Sequence, residues 1–515
     1  MNGPREFELK LEFEPSKAET IMHHPAVTGE GSSSHTETLT SVYFDTDDQR
    51  LLDAGVFLRI RSVGDRHIQT IKAVTPGHLF SRGEWEHEIE GPLPDLGRAK
   101  DSALDSLSDQ HLKPVFESRV ERTVRRLHKN GSEIEVALDQ GVIDTGDNKS
   151  PVSELELEIK RGDPGELFRL ARELSESVPL QLVVKSKPER GYELRNGTDG
   201  LAIEKAVDLE IPPTMTLEHA FKAIGRSCLR QLLANRPAML AGKPEALHQM
   251  RVGLRRLRTA ISIFKEVVAD SQRDHIKSEL EWTTGELGPA RDLDVLSEEV
   301  LRSLGDVVND LDLSDTRKEI EYRRQKAYNH ANRSAKSTRF AQAILETAEW
   351  IEVGCWTSTS DPMMRLRRER PIAFHAAAEL ARRRKKIRKQ GQHLRDISEE
   401  HRHKLRIRAK KLRYATEFFS SVFTGKKNER RREAALSSLK NLQSALGDLN
   451  DIVAREKLMS GMADANSKEG GQRSSRVPFV AGVIYGSQEA RTEGLLEAAE
   501  RAHAEFSDVK SFWKS

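Results

Sequence analysis

The first strand-like segment of the chain alternates carboxylates with apolar residues and then places a lysine on the same side: Glu6-Phe7-Glu8-Leu9-Lys10-Leu11. Side chains two apart share one face of a strand, so Glu6, Glu8 and Lys10 would stand together. Charged alternation returns at Leu58-Arg59-Ile60-Arg61, at Arg82-Gly83-Glu84-Trp85-Glu86-His87-Glu88 and at Glu154-Leu155-Glu156-Leu157-Glu158-Ile159-Lys160, with Lys185-Ser186-Lys187 later. Sets of carboxylates suit a hard divalent cation. Sets of arginine and lysine suit phosphate oxygens. An antiparallel sheet with one wet face would satisfy the pattern. A sheet closed into a barrel with a charged interior would satisfy it too. Acidic and basic strands alternate along the chain, and closure would bring the two sets together across a lumen. A triphosphate is too anionic to sit beside bare carboxylates, so such a site also needs a bridging metal.

Turn-rich stretches separate these segments, among them residues 29–34, Val74-Thr75-Pro76-Gly77 and residues 146–151. With its strands in this order, the N-terminal half resembles the CYTH, or triphosphate tunnel metalloenzyme, superfamily. Glu6-x-Glu8-x-Lys10 looks like the family signature. Ordered matches follow at Tyr43-Phe44-Asp45-Thr46, Leu58-Arg59-Ile60-Arg61, Thr70-Ile71-Lys72, Arg82-x-Glu84-x-Glu86, Leu138-Asp139-x-Gly141, Glu154-x-Glu156-x-Glu158 and Ser186-Lys187-x-x-Arg190-Gly191-Tyr192. The resemblance implies an eight-stranded antiparallel β-tunnel with flanking helices. It implies Mg²⁺ or Mn²⁺ held by Glu6, Glu8, Asp139, Glu154 and Glu156. It implies phosphate clamps at Arg59, Arg61, Lys72, Arg82, Arg122 and Lys187, with Arg119 competing with Arg122 for one place. Lys10, Glu154 and Glu156 are the expected catalytic groups. Tyr43, Phe44 and Trp85 read as wall packing, and Glu158 could equally be a surface residue at a strand end.

From about residue 215 the period changes. Long stretches rich in Leu, Ala, Arg, Lys and Glu, such as Leu217–Ala234, predict helices. An internal repeat runs through them. His248-x-x-Arg251-x-x-x-Arg255-Arg256-x-Arg258 aligns with His403-x-x-Arg406-x-x-x-Lys410-Lys411-x-Arg413. On a helix, positions 0, +3, +7 and +10 form one stripe, leaving Arg256 and Lys411 off it and peripheral. Each copy is followed by a second match, Leu287-Gly288-x-x-Arg291-Asp292 and Leu446-Gly447-x-x-Asn450-Asp451. Gly253 faces Arg408 in the alignment, so the copies are not equivalent. Two facing cationic stripes repel unless an anion lies between them, and a long polyanion answers that demand. The pattern resembles the CHAD family, which implies an all-α domain of two pseudo-symmetric helical bundles that binds polyphosphate. His248, Arg251, Arg255, Arg258, His403, Arg406, Lys410 and Arg413 would line its channel.

The charge is divided to match. Residues 1–212 hold 27 Lys and Arg against 40 Asp and Glu, net −13; the remainder holds 56 against 41, net +15. The expected organisation is α+β: a tunnel domain over 1–205, a joint over 206–213 around Ile211-Pro212-Pro213, and a helical domain over 214–510. Residues 462–476 read as a mobile loop. Two cysteines, Cys228 and Cys355, cannot build a disulfide framework and fit a reducing compartment. No apolar run opens the chain and none of about 18 residues occurs within it, so neither a signal peptide nor a membrane span is expected. Gly242-Lys243 and Gly425-Lys426 lack the rest of a P-loop. Zinc spacing and RNA-binding aromatic motifs are missing, which argues against nucleic acid. The expected function is metal-dependent hydrolysis of inorganic triphosphate, with polyphosphate held by the helical domain, in the cytoplasm or at polyphosphate granules. The rivals are a non-enzymatic polyphosphate receptor, and an adenylyl cyclase or nucleoside- or thiamine-triphosphatase using the same tunnel.

Overall fold

The computed structural model describes residues 5–28, 34–99, 102–104, 111–198, 200–307, 314–468 and 476–513. Its N-terminal half is one antiparallel sheet of nine strands: β1 (Arg5–Glu12), β2 (Ser34–Asp45), β3 (Val56–Val63), β4 (Arg66–Val74), β5 (Ser81–Ile89), β6 (Lys113–Lys129), β7 (Ser132–Asp144), β8 (Lys149–Arg161) and β9 (Gln181–Val183). The strand order is β5-β4-β3-β2-β6-β7-β8-β1-β9, and β5 also pairs with β1. Eight strands therefore close into the expected tunnel. The ninth was not foreseen: β1 divides one edge between two partners, offering Arg5–Phe7 to β5 and Lys10–Glu12 to β9.

Around β1, β7 and β8 both faces of this sheet are covered, which is why alternation there does not mean one wet side. Outward residues Leu9, Leu11, Ile134, Val136, Leu138, Leu155 and Leu157 enter the main apolar core. The helix Gly165–Ser175 covers them with Leu167, Phe168, Leu170 and Leu174, all buried. Inward residues are the charged ones. Register is strongly held, because a slip by one residue would drive every carboxylate into that core.

The C-terminal half is helical. The helices used below are Leu217–Ala234, Pro244–Ile263, Gly288–Val307, Thr338–Val353, Glu399–Phe418 and Lys426–Lys468. Residues 462–468 belong to the last of these and Arg476 opens the helix Arg476–Asp508, so the mobile loop expected over 462–476 is not what these described residues form; 469–475 lie outside the described residues. Among the described residues no helix is long and apolar enough to cross a membrane.

The two halves share one continuous core. Ion pairs rim it: Arg172 with Glu349 at 3.0 Å, Arg236 with Glu12 at 3.3 Å, and Arg230 with both Glu189 and Glu204 at 2.7 Å. Burial alone would raise the Glu189 carboxyl, but Arg230, then Arg82 and the hydrogen bonds from Ser186 hold it down at about 2. A carboxyl lower in the folded state than in the unfolded chain stabilises the fold above the unfolded value of 4.5, and that stability is lost as pH falls toward 2. The shift corresponds to about 3 kcal/mol. Urea unfolding of wild type and Glu189→Gln at pH 7 and pH 3 checks this. The stability gap between them should shrink at pH 3; an equal gap at both pH values would show that Glu189 carries no such linkage.

Candidate active site

The lumen of the barrel encloses a cavity of about 140 Å³ lined almost wholly by charge. Cross-strand register sets who meets whom. Lys72 stands opposite Glu84, Glu6 opposite Arg82, Arg122 opposite Asp139, Asp139 opposite Glu154, and Lys10 opposite Glu156. Three of these pairs close directly, Lys72 with Glu84, Arg122 with Asp139 and Lys10 with Glu156, while Lys187 bridges Asp139 and Glu154. Lys72 Nζ lies 2.8 Å from Glu6 and 3.0 Å from Glu84. Lys10 Nζ lies 2.6 Å from Glu8 and 2.9 Å from Glu156. Arg122 donates two hydrogen bonds to Asp139, at 2.7 and 2.6 Å, and one to Glu156 at 2.6 Å. Lys187 sits at 2.8, 2.8 and 2.9 Å from Asp139, Glu154 and Glu156.

Of the two arginines in contention, Arg122 enters the lumen; Arg119 points out, its side chain 64% exposed and paired with Glu117. The lining also holds Glu84, Glu86, Glu158 and Lys160, which the sequence reading quoted without a role or left open, and Glu135, which it missed. Arg190, part of a quoted motif, donates to Glu154 at 2.7 Å. The alternation had shown that Glu84 shares a face with Glu86, but only closure of β5 onto β1 shows that it faces Glu6. Tyr43 packs on Phe116, ring centroids 4.6 Å apart, and its edge also reaches the cavity.

The Lys187–Arg195 helix brings Lys187 and Arg190 to the lumen mouth. Ser186 and Glu189 form a reciprocal capping box at its start. Near its end Tyr192 donates to Asp45 at 2.7 Å, and Asp45 also accepts the amides of Thr46, Leu51 and Leu52. Gly191 is required between them, since a Cβ there would lie 2.2 Å from the Phe116 ring.

Electrostatics follow from burial against pairing. Burial opposes ionisation of Glu156, but Lys10, Lys187 and Arg122 hold it far below the ordinary carboxylate range. Asp139 is lowered in the same way by Lys187 and Arg122. Glu6 goes up: burial outweighs Lys72, and the neighbouring Glu84 adds to the rise. Burial beside the like charges of Arg59 and Arg122 pushes Arg61 down to about 10, still charged at neutral pH. The lining carries eight cationic and eight carboxylate side chains.

Two kinds of unmet demand remain. Arg59 Nε and Arg61 Nε are buried without a hydrogen-bond partner, as an anion's oxygens would supply. Glu8 Oε1 and Glu154 Oε2 are buried without an aligned donor, their lysine neighbours meeting them only as ion pairs. Hard carboxylate oxygens are the donor set that Mg²⁺ or Mn²⁺ prefers, so the residues fit such a metal. Among the described residues no three carboxylate, imidazole or thiol groups already form a metal cage; lysines stand between the carboxylates.

In the helical half the two repeat helices, Pro244–Ile263 and Glu399–Phe418, pack together. Their stripes face. Burial lowers the His248 imidazole, and Arg291, Arg255 and Lys410 of the other copy add to it. Burial and Arg255 push Arg251 down to about 10. The two halves of each motif also meet. A Cβ at Gly288 would lie 3.4 Å from the Arg251 guanidinium, and one at Gly447 would lie 3.1 Å from that of Arg406. The repeated glycine thus makes room for the repeated arginine. The side chains of Asn450 and Asp451 lie outside those described. Arg255 is half-buried, His403 is exposed, Arg258 pairs with Glu281 and Arg413 with Glu417.

Arg256 is not peripheral. It is buried between the repeat helices, paired with Glu417 at 2.7 Å and stacked over Phe418, so its part is structural. Lys411 is half-buried rather than peripheral, facing Arg383 and Arg258. The inequivalence at Gly253 has a cause: a Cβ there would lie 3.0 Å from the Cys228 carbonyl, where the helix presses on Leu217–Ala234.

Comparison with known proteins agrees with this division. Residues 4–192 match the family model of the CYTH domain, and residues 223–460 that of the CHAD domain. Over 160 residues the chain is 31% identical to the inorganic triphosphatase of Haemophilus influenzae, covering 30% of this chain and 45% of that protein. The chain thus spans less than half of that relative. It is 25% identical over 505 residues to an uncharacterized protein of Mycobacterium tuberculosis, covering 91% of this chain and 90% of the other. The crystal structure of the CHAD domain from Ricinus communis is similar at 24% identity and a TM-score of 0.49, covering 59% of this chain and 96% of that one. The chain is a CYTH domain followed by a CHAD domain.

Proposed function

We propose that the tunnel hydrolyses inorganic triphosphate to pyrophosphate and phosphate with the help of a divalent metal, and that the helical half binds polyphosphate. The units would be 1–205 and 214–510, joined by 206–213. The observation that carries the reading is the balanced lining, eight cations against eight carboxylates around one lumen cavity. A bare polyanion would lack charge compensation there, and so would a bare cation. A divalent cation brought in with the anion offsets part of its charge, and together they meet both unmet demands, the arginine donors and the carboxylate oxygens.

Arg59, Arg61, Lys72, Arg82, Arg122 and Lys187 would hold the phosphate oxygens and stabilise charge as it develops on the departing pyrophosphate. Lys10, already between Glu8 and Glu156, would turn its ammonium to the scissile phosphoryl group. Glu154 and Glu156 would orient the attacking water, with its proton passing to Glu154, since Glu156 is held far below the ordinary carboxylate range. Bound at Glu6, Glu8, Asp139, Glu154 and Glu156, Mg²⁺ or Mn²⁺ supplies charge neutralisation and polarisation of phosphoryl oxygens. In the helical half, His248, Arg251, Arg255, Arg258, His403, Arg406, Lys410 and Arg413 would share a polyphosphate chain, whose charge relieves the repulsion between the stripes.

The test is phosphate release from inorganic triphosphate, ATP, thiamine triphosphate and long-chain polyphosphate, with Mg²⁺ and with EDTA, for wild type and Glu6→Ala. Metal-dependent release, fastest from inorganic triphosphate and lost in the variant, is expected. Tight polyphosphate binding with no release from any of them would leave a receptor.

A further inference from the structure

Among the side chains at which the tunnel and the helical half meet, one belongs to neither lining and touches both units. Arg230, on the Leu217–Ala234 helix, donates to Glu189 Oε1 at 2.7 Å. The same guanidinium grips Glu204, just before the joint, at 2.7 and 3.0 Å, and reaches the Val184 carbonyl at 3.4 Å. Glu204 is fixed in turn: its amide donates to Asn235 at 3.0 Å, and Asn235 returns a bond to its carbonyl at 2.7 Å. Asn235 is fully buried.

On the other side, Glu189 is the third residue of the helix that begins at Lys187. Its Oε2 accepts from the Ser186 amide at 2.7 Å and hydroxyl at 2.6 Å. One residue from that cap, Lys187 reaches Asp139, Glu154 and Glu156, and Arg190 takes the other oxygen of Glu154. Arg82, a lumen cation, lies near enough to Glu189 to feel its charge.

We infer that Arg230 is a positioning residue for the tunnel: by satisfying Glu189 from the helical side it fixes the turn that aims Lys187 and Arg190, and leaves Arg82 to the guest in the lumen. The inference rests on the tunnel being the site of triphosphate hydrolysis. Without Arg230, Glu189 is a nearly buried carboxylate whose remaining strong counter-charge is Arg82. Arg82 would swing to it, and the cap would shift. The consequence is that the tunnel works fully only with the helical half docked.

The experiment compares wild type, Arg230→Met and the double variant Arg230→Met/Glu189→Gln in kcat and KM for inorganic triphosphate with Mg²⁺. Glutamine at the third helical position still accepts from Ser186, so it keeps the cap while removing the stranded charge. Arg230→Met should lose about 10- to 100-fold in kcat/KM, mostly through KM, the size expected of a misplacement at a distance from the chemistry. The double variant should recover to within about 3-fold of wild type, since a neutral side chain no longer recruits Arg82. A merely structural Arg230 would show no rescue, as the double variant has lost more contacts than the single one.

Wild-type constants in Arg230→Met, or a double variant no better than the single, overturn the inference and leave the hydrolase reading intact. Calorimetry with inorganic triphosphate and Mg²⁺, scored as the binding that Arg59→Ala abolishes, separates the other case. If wild type binds without hydrolysing, the hydrolase reading falls; the inference then stands or falls on whether Arg230→Met weakens that binding. A wild type that neither binds nor hydrolyses overturns both.

Discussion

Lys187→Met is expected to damage both stability and activity. The ammonium is buried and sits within 2.9 Å of Asp139, Glu154 and Glu156. These carboxylates hold it well above the ordinary lysine range, against the opposing effect of burial. Removing it leaves three neighbouring carboxylates with Arg122, Arg190 and Lys10 as their remaining partners. Breaking a buried ion pair from one side costs about 3–5 kcal/mol. Losing one preorganised clamp at a developing phosphate charge costs about 10²–10³ in rate. Denaturant unfolding and triphosphate turnover read the two effects separately. Arginine should not substitute, because its planar fork cannot meet three carboxylates as a compact ammonium does. Wild-type stability in Lys187→Met would mean that the cluster is not the closed network described.

Arg61→Met should separate the two properties. Arg61 is half-buried, its Nε is buried without a partner, and its nearest strong influences are the like charges of Arg59 and Arg122. Being a base whose folded value is depressed to about 10, it is charged at pH 7 and the fold bears the repulsion; the penalty fades only as pH rises past 10. A methionine removes it. Stability should be unchanged or higher by about 1 kcal/mol. Turnover should still fall about 10²–10³-fold, because the donors meant for phosphate oxygens are gone. A strongly destabilised Arg61→Met would show that this arginine holds the barrel rather than its guest.

The contrast between these residues marks how far the sequence could be read. Alternation placed Glu6, Glu8 and Lys10 on one face, and the same logic placed Arg59 with Arg61. It could not say which strands become neighbours. Lys72 was legible as a phosphate clamp, yet its contact with both Glu6 and Glu84 depends on β5 returning to β1, a pairing 76 residues apart in register at Glu6 and Arg82 that no local pattern encodes. Glu158 was ambiguous for the same reason: lying at a strand end looks identical whether the end opens to water or to a lumen. In the helical half the repeat was plain, but its spacing could not show that Gly288 and Gly447 exist to admit Arg251 and Arg406. Arg256 was misjudged because helix position alone was used; burial between two helices, with Glu417 contributed by the other copy, is a tertiary fact. The Arg230 bracket had no sequence signal beyond the Ser186–Glu189 box, which looks complete without it.

The central claim is that the tunnel cleaves triphosphate with a divalent cation. The most direct test is ³¹P NMR of inorganic triphosphate incubated with the full-length protein and Mg²⁺, beside the same mixture with excess EDTA. The account predicts that the triphosphate signals give way to pyrophosphate and phosphate in equal amounts, and only where the metal is free to bind. Triphosphate that persists in both tubes, while shifted or broadened by binding, would contradict it.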